Sequence, residues 1–252
     1  MRKYWGLFAV LALLAAPAFA QEKPGNVARV FVTQVKPGMT KQYEEGRKRH
    51  MDWHRKQNDS WSWHVYLVIT GEAGGQYLAV TENHHWKDFD TWDAKMAAAD
   101  EADGTANMEP YTAGGSSSFY KYLADVSKPQ TSTIPARMAE VIHFMVRPDK
   151  EADFSLLIKK IDDAIKKTNW PVHYSWYELM NGGEQPHFVL VIPHENWASM
   201  AEPEVSFPAM LEKAFGRLEA GAILDGFGKT IKSQSSEMLQ YRPELSYRPT
   251  AK

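Results

Sequence analysis

The 252-residue chain contains no cysteine. That excludes disulfides, thiolate zinc sites, iron–sulfur clusters and a thiol nucleophile. An excess of either charge is also missing, with 29 Lys+Arg against 31 Asp+Glu and a net charge of −2. A chain so balanced offers nucleic acid no general electrostatic attraction. An apolar run, Leu7–Leu14, followed by alanines, is short against the roughly 20 residues of a spanning helix. No phosphate-cradling glycine loop, dinucleotide fingerprint or nucleophile elbow occurs. The sequence therefore calls for no cofactor. Hydrophobic residues make up 44% of the chain, enough for one large or two small cores. Nine Trp, eleven Tyr, eleven Phe and nine His are the unusual entries.

The first twenty residues read as an address. Arg2 and Lys3 precede the apolar run, and Ala18-Phe19-Ala20 suits a signal peptidase. We expect residues 1–20 to be a signal peptide, with Gln21 leading the mature chain and a periplasmic or secreted destination. No membrane span is expected after cleavage. Without disulfides, packing alone must hold such an exported protein.

The rest of the chain is written twice, at an offset of 111. Val30 meets Val141, Pro37 meets Pro148, Asn58 meets Asn169, Tyr66 meets Tyr177, Gly71 meets Gly182 and Trp86 meets Trp197. An ungapped register over about sixty residues points to two copies of a domain. In each copy a strand (28–36; 139–147) runs through a turn into a helix (40–57; 151–168). An aromatic strand (61–70; 172–180) and a glycine turn lead to a third strand (77–82; 187–192). A second helical segment follows, anchored by Trp86 or Trp197, and a last strand (117–125; 235–241) closes the copy. Pro203 and Pro208 are expected to leave the second copy irregular up to 209–218. The units are residues 27–126 and 137–246, joined by a linker at 127–136. The order β-α-β-β-α-β predicts an α+β protein, two tandem ferredoxin-like domains packed sheet to sheet as an intramolecular α+β barrel.

Three features carry a resemblance: the opening strand running into Val35-Lys36-Pro37-Gly38, the helix behind it, and Tyr77–Glu82 running into Trp86. With the repeated element order, they resemble the dimeric α+β barrel superfamily in tandem form. They look like the antibiotic-biosynthesis monooxygenase and NIPSNAP-like groups. The resemblance implies a small-molecule site. Members include cofactor-independent oxygenases, isomerases, haem-degrading enzymes and chlorite-dismutase-like haem proteins. Haem-degrading members share a first-strand Asn and a Trp and His on the second helix. Here the first strand has no Asn and the segment after Trp86 has no His.

Strand alternation sorts the aromatic strands. Ser62, His64, Tyr66 and Val68 share one face, and His173, Ser175, Tyr177 and Leu179 share its counterpart. His64, Tyr66, His173 and Tyr177 are the candidate catalytic residues, imidazole as base and phenol as oxyanion partner. Ser62, His143 and Ser175 are candidate ligand contacts. Trp63 and Trp176 are added because the opposite face could line the cavity instead. The expected partner is a small aromatic or apolar molecule held between the sheets by a binding protein. Alternatives are a cofactor-independent monooxygenase or isomerase, and a haem-binding protein; a homo-oligomer is compatible with all three. His50 and His54 share one helix face, where the other copy has Ile161 and Ile165. Zinc or copper could take such a pair, with His84 and His85 as further donors. Two imidazoles do not complete a site, so the pair is read as semi-buried and hydrogen-bonded.

Overall fold

The computed structural model describes residues 24–249, so the expected signal peptide lies outside the described residues. The first half holds β1 (Val27–Val35), α1 (Thr40–Gln57), β2 (His64–Val68), β3 (Tyr77–His84), α2 (Trp86–Trp92), α3 (Ala98–Asn107) and β4 (Thr112–Tyr122). The second holds β5 (Met138–Val146), α4 (Glu151–Thr168), β6 (Ser175–Asn181), β7 (His187–His194), α5 (Phe207–Phe215), α6 (Arg217–Thr230) and β8 (Ile231–Tyr241). The order β-α-β-β-α-β thus occurs twice, with its second helix split in two each time. Among the described residues, no helix is long and apolar enough to cross a membrane.

The eight strands form one closed antiparallel barrel in the order β1-β3-β2-β8-β5-β7-β6-β4. Each half supplies four adjacent strands. β2 pairs β8, and β4 pairs β6, so the two sets join at their edges and leave none open. They are one continuous wall around a cavity and do not lie as two stacked sheets.

Paired positions at the offset of 111 play the same parts. Asn58 and Asn169 both end their helices in the left-handed region, each with φ 52°, a conformation Asn tolerates at a helix end. Gly71 and Gly182 take φ 84° and 99° in the hairpin turns. Ser127 Oγ accepts from Trp176 N, and Ser246 Oγ accepts from Val65 N, each at 2.9 Å. These two bonds fasten the tail of each half to the aromatic strand of the other.

The helices cover the outside of the barrel. On α4 the apolar spacing puts Phe154, Ile158, Ile161 and Ile165 against Phe144, Trp176 and Phe188, with Met210, Leu211 and Ile223 from α5 and α6. Phe154 is fully buried and meets Phe188 at 4.8 Å between ring centroids. In the first half Trp61, Trp63, Phe89 and Trp92 pack with Met51 and Val27.

Several expectations are corrected. Trp86 and Trp197 do not anchor the second helices; they are 51% and 58% exposed, and Phe89 and Trp92 take that role in the first half. Trp86, at the first position of α2, lies at the edge of the buried face against Phe119, 5.2 Å between ring centroids, with its other side open to solvent. The closing strands begin at Thr112 and Ile231, earlier than turn chemistry suggested. Gly114-Gly115 belongs to β4, because a Cβ at Gly115 would lie 2.4 Å from the Val32 carbonyl oxygen across the ladder. Pro208 starts α5 in its first turn, where no amide is needed, with Ser206 as N-cap. The helical segment then continues through Gly216 to Thr230.

These packing assignments are testable by denaturant unfolding. Phe154→Ala should cost about 3–5 kcal/mol through loss of buried area and the cavity left behind. Trp197→Ala should stay within about 0.5 kcal/mol, as an exposed residue does. Equal losses would contradict the burial described.

Candidate functional site in the barrel

On β2, alternation sends His64, Tyr66 and Val68 into the barrel and Val65 out toward α1. On β3, Leu78, Val80 and Glu82 face in, while Tyr77, Ala79 and Thr81 are buried outside or in the wall. The interior cavity is about 140 Å³ and mostly apolar, with Val30, Leu78, Val141, Val189 and Leu239 among its walls. Six of its lining residues, Ala28, Tyr66, Glu82, Ala139, Tyr177 and Val191, also line a mouth of about 330 Å³. His64, Ser175 and Tyr174 complete the mouth, with residues 129–136 between the halves lying across it.

The polar groups converge where mouth and interior meet. The Tyr177 hydroxyl donates to Glu82 Oε2 at 3.1 Å. Burial pushes the Glu82 carboxyl above the usual carboxylate range, a shift only partly offset by that bond. Burial and the nearby Glu82 push the Tyr177 phenol up. Tyr66 is raised too, first by burial. His64 falls to about 4, mainly through burial, so its ring is neutral near pH 7. Its Nδ1 lies 3.4 Å from the Tyr241 hydroxyl. Deeper in, His143 Nδ1 meets His187 Nε2 at 3.0 Å, and Glu237 lies 3.7 Å from His143 Nε2. The site can hold an apolar body and, at one end, exchange a proton with a polar group.

Of the residues singled out in sequence, the barrel gathers His64, Tyr66, Ser175, Tyr177 and His143. It does not gather His173 or Ser62. His173 precedes β6, is exposed, and has its Nδ1 3.3 Å from the Pro129 carbonyl oxygen. Ahead of β6 the chain is held by a single bridge from Tyr174 to Lys128, and the ladder with β7 starts at Ser175. Ser62 lies in a turn held by Asp59, whose side chain accepts from the Trp61 amide at 3.0 Å. Trp63 and Trp176 face the helices and belong to the two outer cores, so neither touches the barrel cavity. The expected His/Tyr pairing is also replaced, since Tyr177 bonds Glu82. Sequence reasoning missed Glu82. The signal was present as a lone carboxylate on the face of β3 that carries Leu78 and Val80.

His50 and His54 are buried deeply, at 4% and 1% exposure. They meet Asp100 of α3 outside the barrel, beside a second pocket of about 320 Å³. Burial takes His50 down to about 3, with Arg47 and His54 adding to it. Burial also opposes charge on His54, but bonds to Asp100 and Asp59 outweigh it and raise His54. His84 and His85 stay apart from this group: His84 Nε2 bonds Thr81 Oγ1 at 2.5 Å, and His85 caps α2.

The fold, a closed eight-stranded α+β barrel within one chain, is shared with several solved structures. A candidate monooxygenase of Lactobacillus acidophilus NCFM is similar over 92% of this chain and 99% of its own, at 10% identity and a TM-score of 0.55. A second candidate monooxygenase, from Fusobacterium nucleatum, matches over 86% and 93% at 12% identity and a TM-score of 0.56. A chlorite dismutase variant from Candidatus Nitrospira defluvii matches over 89% and 94% at 11% identity and a TM-score of 0.51. No family model and no curated protein matches the chain. At such identities the likeness establishes the fold alone.

The chlorite dismutases raise the question of haem. In the second half the space between helices and sheet is filled by packed side chains. In the first half both imidazole Nε2 atoms face each other and Asp100 at 3.2–3.4 Å. Both Nε2 atoms there are engaged with each other and with Asp100, and the barrel histidines His64 and His143 are the other imidazoles a haem would have to use.

Glu82 carries a pH test. Its folded-state pKa lies above its unfolded value, so the folded chain keeps that proton to higher pH. The contribution is complete below the unfolded carboxyl pKa, about 4.3, and disappears as pH rises through the folded value. Urea unfolding from pH 4 upward should show wild type losing stability relative to Glu82→Gln. Parallel profiles would refute a raised Glu82.

Proposed function

We propose that this is an exported small-molecule-binding protein whose ligand enters the mouth of the barrel. Export rests on the charged, apolar and small-residue pattern of residues 1–20. Binding rests on one observation: an apolar cavity narrows onto the convergent groups Glu82, Tyr177, Tyr66 and His64. Concave, mostly apolar sites with a few placed polar groups are the usual form of ligand pockets. Tyrosine rings at the entrance and valine walls beyond favour a partly aromatic molecule with one hydrogen-bonding group. The repeated element order supports the descent of the two halves from one ferredoxin-like domain.

A second reading is favoured by the Glu82–Tyr177 bond. A carboxyl held above its usual pKa beside a phenol is suited to taking a proton from an activated C–H or O–H. That is the first step for an isomerase, or for an oxygenase in which dioxygen then attacks the substrate anion. The fold shared with the candidate monooxygenases fits this reading.

A thermal-shift screen of small phenols and quinones tests binding. A hit should raise Tm in wild type and His173→Ala, and Val191→Phe, which fills the passage, should abolish the shift. A shift retained in Val191→Phe would place the ligand elsewhere. For any hit that is turned over, Glu82→Gln should lower kcat by about 10²–10⁴-fold. An unchanged kcat would remove Glu82 from the reaction, and a hit that is not turned over leaves the protein a binder.

A further inference from the structure

The second pocket lies outside the barrel, between α1, α3 and the outer face of the sheet. His50 and His54 are one turn apart on α1. Asp100 comes from the first turn of α3. The helices approach closely at Gly46, where a Cβ would lie 1.9 Å from the Asn107 carbonyl oxygen. That approach brings the three side chains together.

Three donor atoms then converge. His50 Nε2 and His54 Nε2 are 3.3 Å apart, and Asp100 Oδ1 is 3.4 Å from the first and 3.2 Å from the second. Asp100 Oδ1 is buried, and its near neighbours are the two Nε2 atoms. The other face of each ring is already taken: His50 Nδ1 lies 2.8 Å from Asp103, and His54 Nδ1 lies 2.9 Å from Asp59. Each carboxylate is itself held, Asp103 by Asn107 and Asp59 by the indole of Trp63. A ring whose Nδ1–H is fixed on a carboxylate turns its Nε2 lone pair outward, the usual arrangement behind a metal-bound histidine. Three donor atoms thus face one point.

The spacing suits an ion. The three donors form a nearly equilateral triangle whose centre is about 1.9 Å from each. An ion at about 2.05 Å lies just off that plane, with angles of about 107° between donors. That is close to tetrahedral and well above the 90° of an octahedral site. Two imidazoles and one carboxylate suit zinc far better than magnesium or calcium, which prefer all-oxygen shells. The ion and the buried Arg47 together would balance the charges of Asp59, Asp100 and Asp103.

We propose that His50, His54 and Asp100 bind a divalent zinc-class ion, with a fourth position open to the pocket beside Trp63, Tyr43 and Phe31. Asp59 and Asp103 orient the two rings. Three protein donors with an open position are the form of catalytic rather than structural zinc sites.

Tag-free protein, stripped with a chelator, is titrated with Zn²⁺ by calorimetry and with Co²⁺ by absorbance. One equivalent should bind, and cobalt should show the intense visible bands of four-coordination. Asp100→Asn keeps the shape and should weaken zinc at least tenfold with an unchanged circular dichroism spectrum. Asp103→Asn should weaken it about tenfold by releasing His50. Zinc should raise Tm in wild type and leave Asp100→Asn unmoved. The proposal is overturned by no binding at about 0.1 mM zinc, by wild-type affinity in both variants, or by the pale spectrum of six-coordinate cobalt.

Discussion

Everything in this molecule depends on the closure of the barrel. A four-stranded sheet covered by helices on one side leaves its other face bare and its two edges unpaired. The chain meets both demands at once by pairing β2 with β8 and β4 with β6. Hydrogen bonds satisfy the edges, and the bare faces become the wall of a cavity. The serine clasps at Ser127 and Ser246 repeat the solution at both seams, each tying one half's tail to the other half's strand. With no cysteine to cross-link the halves, these ladders and clasps do the joining.

Closure divides the side chains into an inner and an outer population, and the two halves use the outer one differently. Behind the second half the helices pack on an apolar core centred on Phe154, Trp176 and Phe188. Behind the first half His50 and His54 stand where the other helix has Ile161 and Ile165, and a pocket opens between helix and sheet. Burying imidazole where isoleucine would pack costs hydrophobic stabilisation and requires partners for every ring nitrogen. The chain supplies them through Asp59, Asp100 and Asp103. Inside, the two halves contribute more evenly, with Tyr66 and Glu82 from one facing Tyr177 and His143 from the other.

Much of this was legible in the residue pattern. The spans of α1 and α4 follow from their apolar spacing and from Asn58 and Asn169 at their ends. The inward face of β2 follows from alternation through His64, Tyr66 and Val68. His173 was misplaced because alternation was carried back beyond Ser175, where the ladder with β7 ends and a single bridge to Lys128 holds the chain. Trp86 and Trp197 were misread because identity at matched positions reflects shared descent or local shape without requiring burial. Glu82 escaped notice because its importance comes from Tyr177, which lies 95 residues away in the chain.

By itself, then, the sequence determined the element order, its repetition, the faces of the strands and the absence of thiol chemistry. Those properties are local, set by periods of 2 and 3.6 residues and by composition. Only the tertiary structure decided which groups meet. It seated Glu82 against Tyr177 through barrel closure, and it brought Asp100 to His50 and His54 through the close crossing of α3 over α1. Such meetings depend on strand register and helix approach, which arise from the packing of distant segments and leave no spacing signature along the chain.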